Sequence, residues 1–476
     1  MIQPSMRLSP KDTRLVAALK TPQTLLAMVR DAARNRLLGA GLDGHLYAAD
    51  LAVWPPAADM PAVPMDGGPK ANGASNANAN ANANGNGNSA AARAPAKSDT
   101  AKSDTAKSDT AKSDTGKKDA AEVMRREATK LWHLHDNYVA SLALHDNVLI
   151  SASFDRTLAW WNVATGERLR TVAAHDGWVR KVVILPSIPP ASPTGAAPAT
   201  GAAPATGAAP PTGAASPSSS PVNAVSTPWR VVSVGDDMVA KVWDGATGEW
   251  IATLRGHAPR SPQGFATALY MVAAHPSGRF VAASDRTGEC LVWEVGSGAV
   301  AARFTAADFY TYDTAKRARS IGGIRALAFS PDGTKLALAG IGQVTNVDGF
   351  VGPARLELWD WQAARRDYAG QSKHQAIQND VQFVAPATPP MPANPSGSPA
   401  TAVGDSTAAS ADPIIPWIVT AGGGDSGGNV AFWKTSDSAP VHLAKPEGHA
   451  HQLLFDLDQG RMFLAGHGGF QIWRTY

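Results

Sequence analysis

The chain has 476 residues with 43 Lys and Arg against 40 Asp and Glu, and a net charge of +3 makes no electrostatic case for nucleic acid. Cys290 is the only cysteine, which excludes an intrachain disulfide framework and allows a reducing compartment. No run approaches the ~18 apolar residues of a membrane span, and the opening MIQPSMRLSPKDTR lacks the apolar core of a secretory signal; the expectation is a soluble, cytoplasmic protein with no membrane partner.

Taken in order, Arg14 to Lys20 is a short apolar stretch, Leu25 to Val29 a second, and RLLGAGLDGHLYAADL from Arg36 sets Asp43-Gly44 between two apolar runs, a hairpin signal. From 55 to 120 the composition collapses into an Asn-Ala alternation (Asn76 to Asn84) and four copies of AKSDT between Ala96 and Thr115. Lys and Asp cancel in each copy and apolar bulk is missing, so no core can offset the lost chain entropy. The segment is predicted to be a disordered insertion, read as a hydrophilic spacer ahead of a phosphorylation array. Order is expected again near Val123, with REATKLWHL supplying an outer strand for the first sheet. HDNYVASLALHDNVLISASFDRTLAWWN, from His135 to Asn162, then gives an alternating apolar run, a second run through Ser151 and Ser153, a tight turn at Asp155-Arg156, and Trp161.

The same order returns downstream. VRKVVILP is interrupted by Pro-Ala-Thr-Gly repeats from 186 to 227 and resumes as WRVVSVGDDMVAKVWD, with His175, Ser233, Asp237 and Trp243 in matching positions. ALYMVAAHPSGRFVAASDRTGECLVWE follows His257 and keeps Trp293, but Thr287 stands in the turn. IRALAFSPDGTKLALAG carries a strong turn at Ser330-Pro331-Asp332-Gly333 and leads to Trp359. VQFVAP precedes a Pro-rich interruption from 387 to 413, then WIVTAGGGDSGGNVAFWK with Trp433, and HQLLFDLDQGRMFLAGHGGFQIW ends at Trp473.

This pattern resembles the WD40 repeat. The resemblance implies an all-β, seven-bladed β-propeller, a single domain over 11–476 with disordered insertions at 55–120, 186–227 and 387–413; six or eight blades stay open if a degenerate repeat is miscounted. It also implies that His135, Ser151, Asp155 and Trp161, then His175, Ser233, Asp237 and Trp243, then His257 and Trp293, form structural hydrogen-bonded sets, not catalytic ones. Departures at Ala49, Thr287, Gly427 and His467 put the polar sets of those blades in doubt. In the family the last blade borrows its outer strand from the other terminus, and Arg14 to Lys20 is the natural donor because it would cover an open edge. TRLVAALK also fits helical spacing; edge protection favours the strand.

Strands in a blade alternate direction, so insertion 55–120, between third and fourth strands, and insertions 186–227 and 387–413, between first and second, emerge on one face. The opposite face is the candidate partner surface. Tyr138 and Trp178 sit there at equivalent positions, with Arg156, Arg180, Arg260, Tyr310, Tyr312, Lys316 and Arg317 as a mixed aromatic and basic rim, and Val344, Val347 and Phe350 in the loop 340–352. Aromatics and Arg dominate interface hot spots, although any one of these residues can equally be an ordinary solvated loop residue.

His449, His451 and His467 suggest metal, but zinc needs three or four ligands and a structural His pair is the simpler account, so no metal is expected. No Walker loop, HExxH or CxxC occurs, and Met124-Arg125-Arg126-Glu127 does not match the Phe-Arg-Arg-Gly of phosphoinositide-binding propellers. The expected function is therefore a non-enzymatic scaffold for other proteins or peptides, without cofactor, as a monomeric propeller with the oligomeric state open. The alternative is a hydrolase or lyase at the central channel mouth, which would require three or more converging His, Asp or Glu.

Overall fold

The computed structural model describes residues 8–52, 123–187, 228–313, 319–344, 352–384, 417–424 and 427–475. Residues at alternate positions of a strand point to opposite faces, and here both faces find a neighbour. In the strand Val148–Ser153, Leu149 packs into an apolar cluster with Leu38 and Val139 on one side, while Ile150 and Ala152 pack with Val179 and Val231 on the other. The same sharing recurs between every adjacent pair of sheets, so that seven clusters lie between seven sheets and close a circle. Inner strands pack side by side around that circle, the strand Ala450–Asp456 returning to Leu25–Asp31. The chain is a seven-bladed β-propeller.

Blade 1 is Leu25–Asp31, Arg36–Gly41, His45–Asp50 and Thr129–His133; blade 2 is Val139–His145, Val148–Ser153, Thr157–Asn162 and Arg168–Ala173. Blade 3 runs Val179–Leu185, Arg230–Gly235, Ala240–Asp244 and Trp250–Leu254; blade 4, Leu269–Ala274, Phe280–Asp285, Glu289–Glu294 and Val300–Thr305. Blade 5 is Ile324–Phe329, Lys335–Ile341, Pro353–Asp360 and Arg365–Gln375; blade 6, Ile377–Val384, Trp417–Gly424, Gly427–Trp433 and His442–Ala444. Blade 7 combines Ala450–Asp456, Arg461–Gly466 and Gly469–Arg474 with Arg14–Lys20, which pairs antiparallel to the last of them from Arg14 opposite Arg474 to Leu19 opposite Phe470. Closure by the early strand is thus as expected, and the helical alternative for TRLVAALK is excluded.

Two placements correct the sequence reading. REATKLWHL is divided: Thr129–His133 is the outer strand of blade 1, but Met124–Glu127 lies parallel to Arg14–Lys20 as a fifth strand of blade 7. It is fastened there by Arg125, whose guanidinium donates to both Glu447 carboxylate oxygens at 2.8 and 2.6 Å. The stretch after Phe309 is not a plain loop, because Tyr310–Asp313 pairs with Arg319–Gly322 as a two-stranded ribbon between blades 4 and 5. The insertions 55–120, 186–227 and 387–413 lie outside the described residues, apart from Pro186 and Ser187, as do Lys316, Arg317, Val347 and Phe350. Among the described residues no helix is long and apolar enough to cross a membrane.

Candidate functional site: the channel mouth

The polar sets of blades 2 and 3 hold the entrance loops in place. His135 bridges Asp155 at 2.8 Å and Ser151 at 2.7 Å, and Trp161 Nε1 donates to the same serine at 3.0 Å. His175, Asp237, Ser233 and Trp243 repeat this at 2.8, 2.8 and 2.9 Å. Burial would raise the Asp155 carboxyl, but the hydrogen bonds from His135 and Thr157 and the charge of His135 outweigh it and bring the pKa down to about 2.

The departures elsewhere are compensated, each differently. In blade 4, Thr287 is bypassed: His257 Nδ1 lies 3.2 Å from Asp285 and 3.3 Å from Glu289, carboxylates two residues before and after it. Burial opposes a charged His257, yet these two acids outweigh it and raise its pKa. Ala283 takes the place of Ser151 and Ser233, leaving buried His257 Nε2 with no hydrogen-bond partner among the described residues. In blade 5 the Trp359 indole donates to fully buried Glu357 at 2.8 Å; Glu357 also accepts from Arg355 and Arg366, and both arginines bond Asp308. In blade 6, Gln378 replaces the His, accepting from Thr420 at 2.6 Å, and Thr420 accepts from Trp433 at 2.9 Å. Gly427 has φ 96, a left-handed conformation that a glycine adopts without strain. In blade 7, His467 stacks on His449 with centroids 4.8 Å apart, and buried Trp473 Nε1 has no partner among the described residues. In blade 1, Ala49 opposite Leu37 leaves no indole, and Tyr47 instead bonds the turn carboxylate of Asp43 at 2.5 Å.

With the loops anchored, every inner strand does one further thing. Each carries a register shift directly after its first or second residue, and the bulged residues are Leu26, Ala140, Arg180, Tyr270, Arg325, Asn379 and His451. A bulge leaves its extra residue out of the ladder and re-aims its side chain. All seven line one cavity of about 330 Å³ at the centre of the ring, together with Phe154, Lys181 and Met271. The two apolar members, Leu26 and Ala140, come from adjacent blades; Arg180 through His451 form a continuous polar arc from blades 3 to 7.

Arg180 organises the outer edge of this mouth. It donates to Asp236 through Nε at 2.6 Å and Nη2 at 3.0 Å, and its guanidinium carbon lies 5.1, 4.8 and 5.2 Å from the ring centroids of Phe154, Trp178 and Tyr270. Phe154 and Trp178 stack at 4.5 Å with planes 6° apart, and Tyr138 joins Phe154 at 5.8 Å. Arg325 covers the other side of Tyr270 at 4.8 Å. Burial pulls the Arg325 pKa down, Tyr270 opposes this, and the charges of Arg180 and Arg286 add to it. Tyr138 and Trp178 stay 43% and 45% exposed, among the largest such values for apolar side chains here.

Of the rim residues expected from sequence, Tyr138, Trp178 and Arg180 therefore converge. Arg156 is exposed at its turn, where φ 77 puts a non-glycine residue in the left-handed region. Arg260 bonds the Gly264 carbonyl at 2.7 Å, Tyr310 donates to Gln263 at 2.8 Å, and Tyr312 meets Phe265 at 6.0 Å, so these three gather around a different loop. Val344 is buried, not an exposed contact. The sequence reading missed Phe154, Lys181, Tyr270, Arg325 and Asn379. A signal existed, since every bulged residue directly follows a buried residue near the inner strand's start: Leu25, Val139, Val179, Leu269, Ile324, Gln378 and Ala450.

For metal, the three histidines of blade 7 are near one another, with His451 and His467 centroids 5.4 Å apart, but His449 Nε2 is engaged by the Gly424 carbonyl at 3.1 Å. The described ligand-type atoms that do converge, within 4.8 Å, are those of His257, Asp285 and Glu289. There the His proton already serves both acids, and Arg303 donates to Glu289 at 2.6 Å, which makes the group a closed ion-pair network. No protein-family model matches the sequence, and no curated protein does either.

Proposed function

We propose that this chain is a WD40-type propeller serving as a non-enzymatic scaffold in the cytoplasm, which holds a protein or peptide partner on the face around the channel mouth. The observation that carries this is the aromatic ladder Tyr138, Phe154, Trp178, held rigid by Arg180 and left exposed at its outer members. Rigid aromatics give contact area at low entropic cost and are the usual anchors of interfaces. The WD40 reading itself is supported by the complete His, Ser, Asp and Trp sets of blades 2 and 3.

A hydrolase or lyase at the same mouth would need several converging acids and histidines. Among the described residues the ring contributes His451 alone of these types, and the neighbouring carboxylates are engaged, Asp236 by Arg180 and Asp380 by the backbone N–H groups of Val381 and Leu453. The test is quantitative capture of partners by wild type and by a Tyr138→Ala, Trp178→Ala double variant. Each lost anchor should cost about 2 kcal/mol, at least tenfold in Kd. Survival of every specific partner at wild-type affinity would show the face to be wrong.

A further inference from the structure

The outer strand of a propeller blade is an open edge, and an edge left unprotected is a template for another chain. The other outer strands described here are blunted by charge or by length. Met124–Glu127 carries Arg125 and Arg126, Thr129–His133 carries Lys130, and Arg168–Ala173 carries Arg168 and Arg170. Val300–Thr305 carries Arg303, Arg365–Gln375 opens on two arginines, and His442–Ala444 is cut to three residues. The blade 3 edge, Trp250–Leu254, has no charged residue, and among the described residues no strand pairs with its outer side. Its register shifts between Trp250 and Ala252, so that Ile251 is bulged and two consecutive side chains turn to solvent. At 63% and 47% exposure, Trp250 and Ile251 are the most exposed large apolar side chains described. Single apolar residues at a surface need no explanation, but an adjacent pair on an uncharged edge marks a contact. The ends of the strand identify the occupant. Glu249 precedes it and Arg255 follows it, both exposed, and neither side chain has an ion-pair partner among the described residues.

We propose that two copies of this chain associate edge to edge along Trp250–Leu254, antiparallel about a two-fold axis at Ala252. A two-fold contact has to be self-complementary: whatever one residue meets on the other copy must meet it in return. The run Glu-Trp-Ile-Ala-Thr-Leu-Arg from Glu249 to Arg255 satisfies this, because reversing it sets Glu249 of one copy opposite Arg255 of the other, twice. The length of these two side chains spans the offset of one residue that the bulge introduces. Opposite charges across an antiparallel pair stabilise it and like charges oppose it, so a parallel alignment, which sets Glu249 beside Glu249 and Arg255 beside Arg255, is disfavoured. Ala252 leaves room at the axis, and Trp250 supplies the anchor on either side of it. Trp250–Leu254 is the last strand of its blade outward from Val179–Leu185, which lines the channel mouth, so both mouths stay open in the pair. The inference does not rest on the channel mouth being a binding face.

Sedimentation equilibrium of the full chain tests it, and wild type should pass from monomer to dimer as concentration rises. Trp250→Lys should weaken the dimer at least about tenfold with an unchanged thermal midpoint, since most of this side chain already lies in solvent. Glu249→Arg and Arg255→Glu should each weaken it, because each sets like charges opposite one another, and the two together in one chain should restore it. Mixing the two single variants is the decisive arm. Each associates weakly with itself, but an equimolar mixture pairs opposite charges at both contacts and should form a heterodimer close to wild type in affinity. That arm stands even where Trp250→Lys fails to fold. A wild type that stays monomeric up to its solubility limit, a dimer indifferent to Trp250→Lys, or single variants that do not associate with each other overturns the proposal. Capture of partners through Tyr138 and Trp178 succeeds or fails independently of these outcomes.

Discussion

Ser151 and Ala283 occupy the same position in blades 2 and 4, two residues after the one opposite the tryptophan. Ser151 satisfies both His135 and Trp161, so Ser151→Ala leaves two buried N–H or N groups without partners and should cost about 2–4 kcal/mol in urea unfolding. Ala283→Ser supplies the acceptor or donor that His257 Nε2 lacks, and a gain of about 1 kcal/mol is expected by the same measurement. His451 makes a pH prediction. Burial first, then the charges of His467 and His449, bring its pKa from 6.5 down to about 4. Between those values the unfolded chain takes up a proton that the folded chain refuses, so stability falls as pH drops from 6.5 to 4 and this contribution levels off below. At 1.36 kcal/mol per unit the loss is at most about 3 kcal/mol, and His451→Gln should flatten that part of the curve. Asp155 acts lower: its contribution is complete above the ordinary carboxyl range and disappears as pH falls toward about 2.

The strand Arg14–Lys20 shows what an element contributes beyond its own residues. It pairs on both sides, with Gly469–Arg474 and with Met124–Glu127, and Ala17 and Leu19 enter the cluster between blades 7 and 1. A proline at Ala18, opposite Gln471, cannot keep the extended ladder intact. Ala18→Pro should destabilise the fold by roughly 2 kcal/mol or more and expose a strand edge, read as a lower denaturant midpoint together with concentration-dependent association in sedimentation. Apolar alternation and the need to cover an edge made this strand legible. Met124–Glu127 was not legible as a separate element, because MRRE has no apolar alternation; its place depends on an edge and on Glu447, which are supplied by remote parts of the chain.

At the scale of the molecule, no blade has a core of its own, because each apolar cluster is shared between neighbours around the ring. The circle is therefore the unit of stability and the frame for the site. The sequence by itself determined most of the blade strands and turns and the residues of the polar sets of blades 2 and 3, and pointed to seven blades with six or eight left open, since these are patterns that follow from period-two burial and turn chemistry. Asp285 and Glu289 in place of Thr287, or Gln378 in place of a histidine, were decided by which group stands within bonding distance after folding. The channel mouth was decided by the tertiary structure alone. Leu26 and His451 are far apart in the chain, and only ring closure brings seven bulged residues to one axis, where Arg180, Lys181 and Arg325 acquire a shared cavity and Tyr138, Phe154 and Trp178 a shared edge.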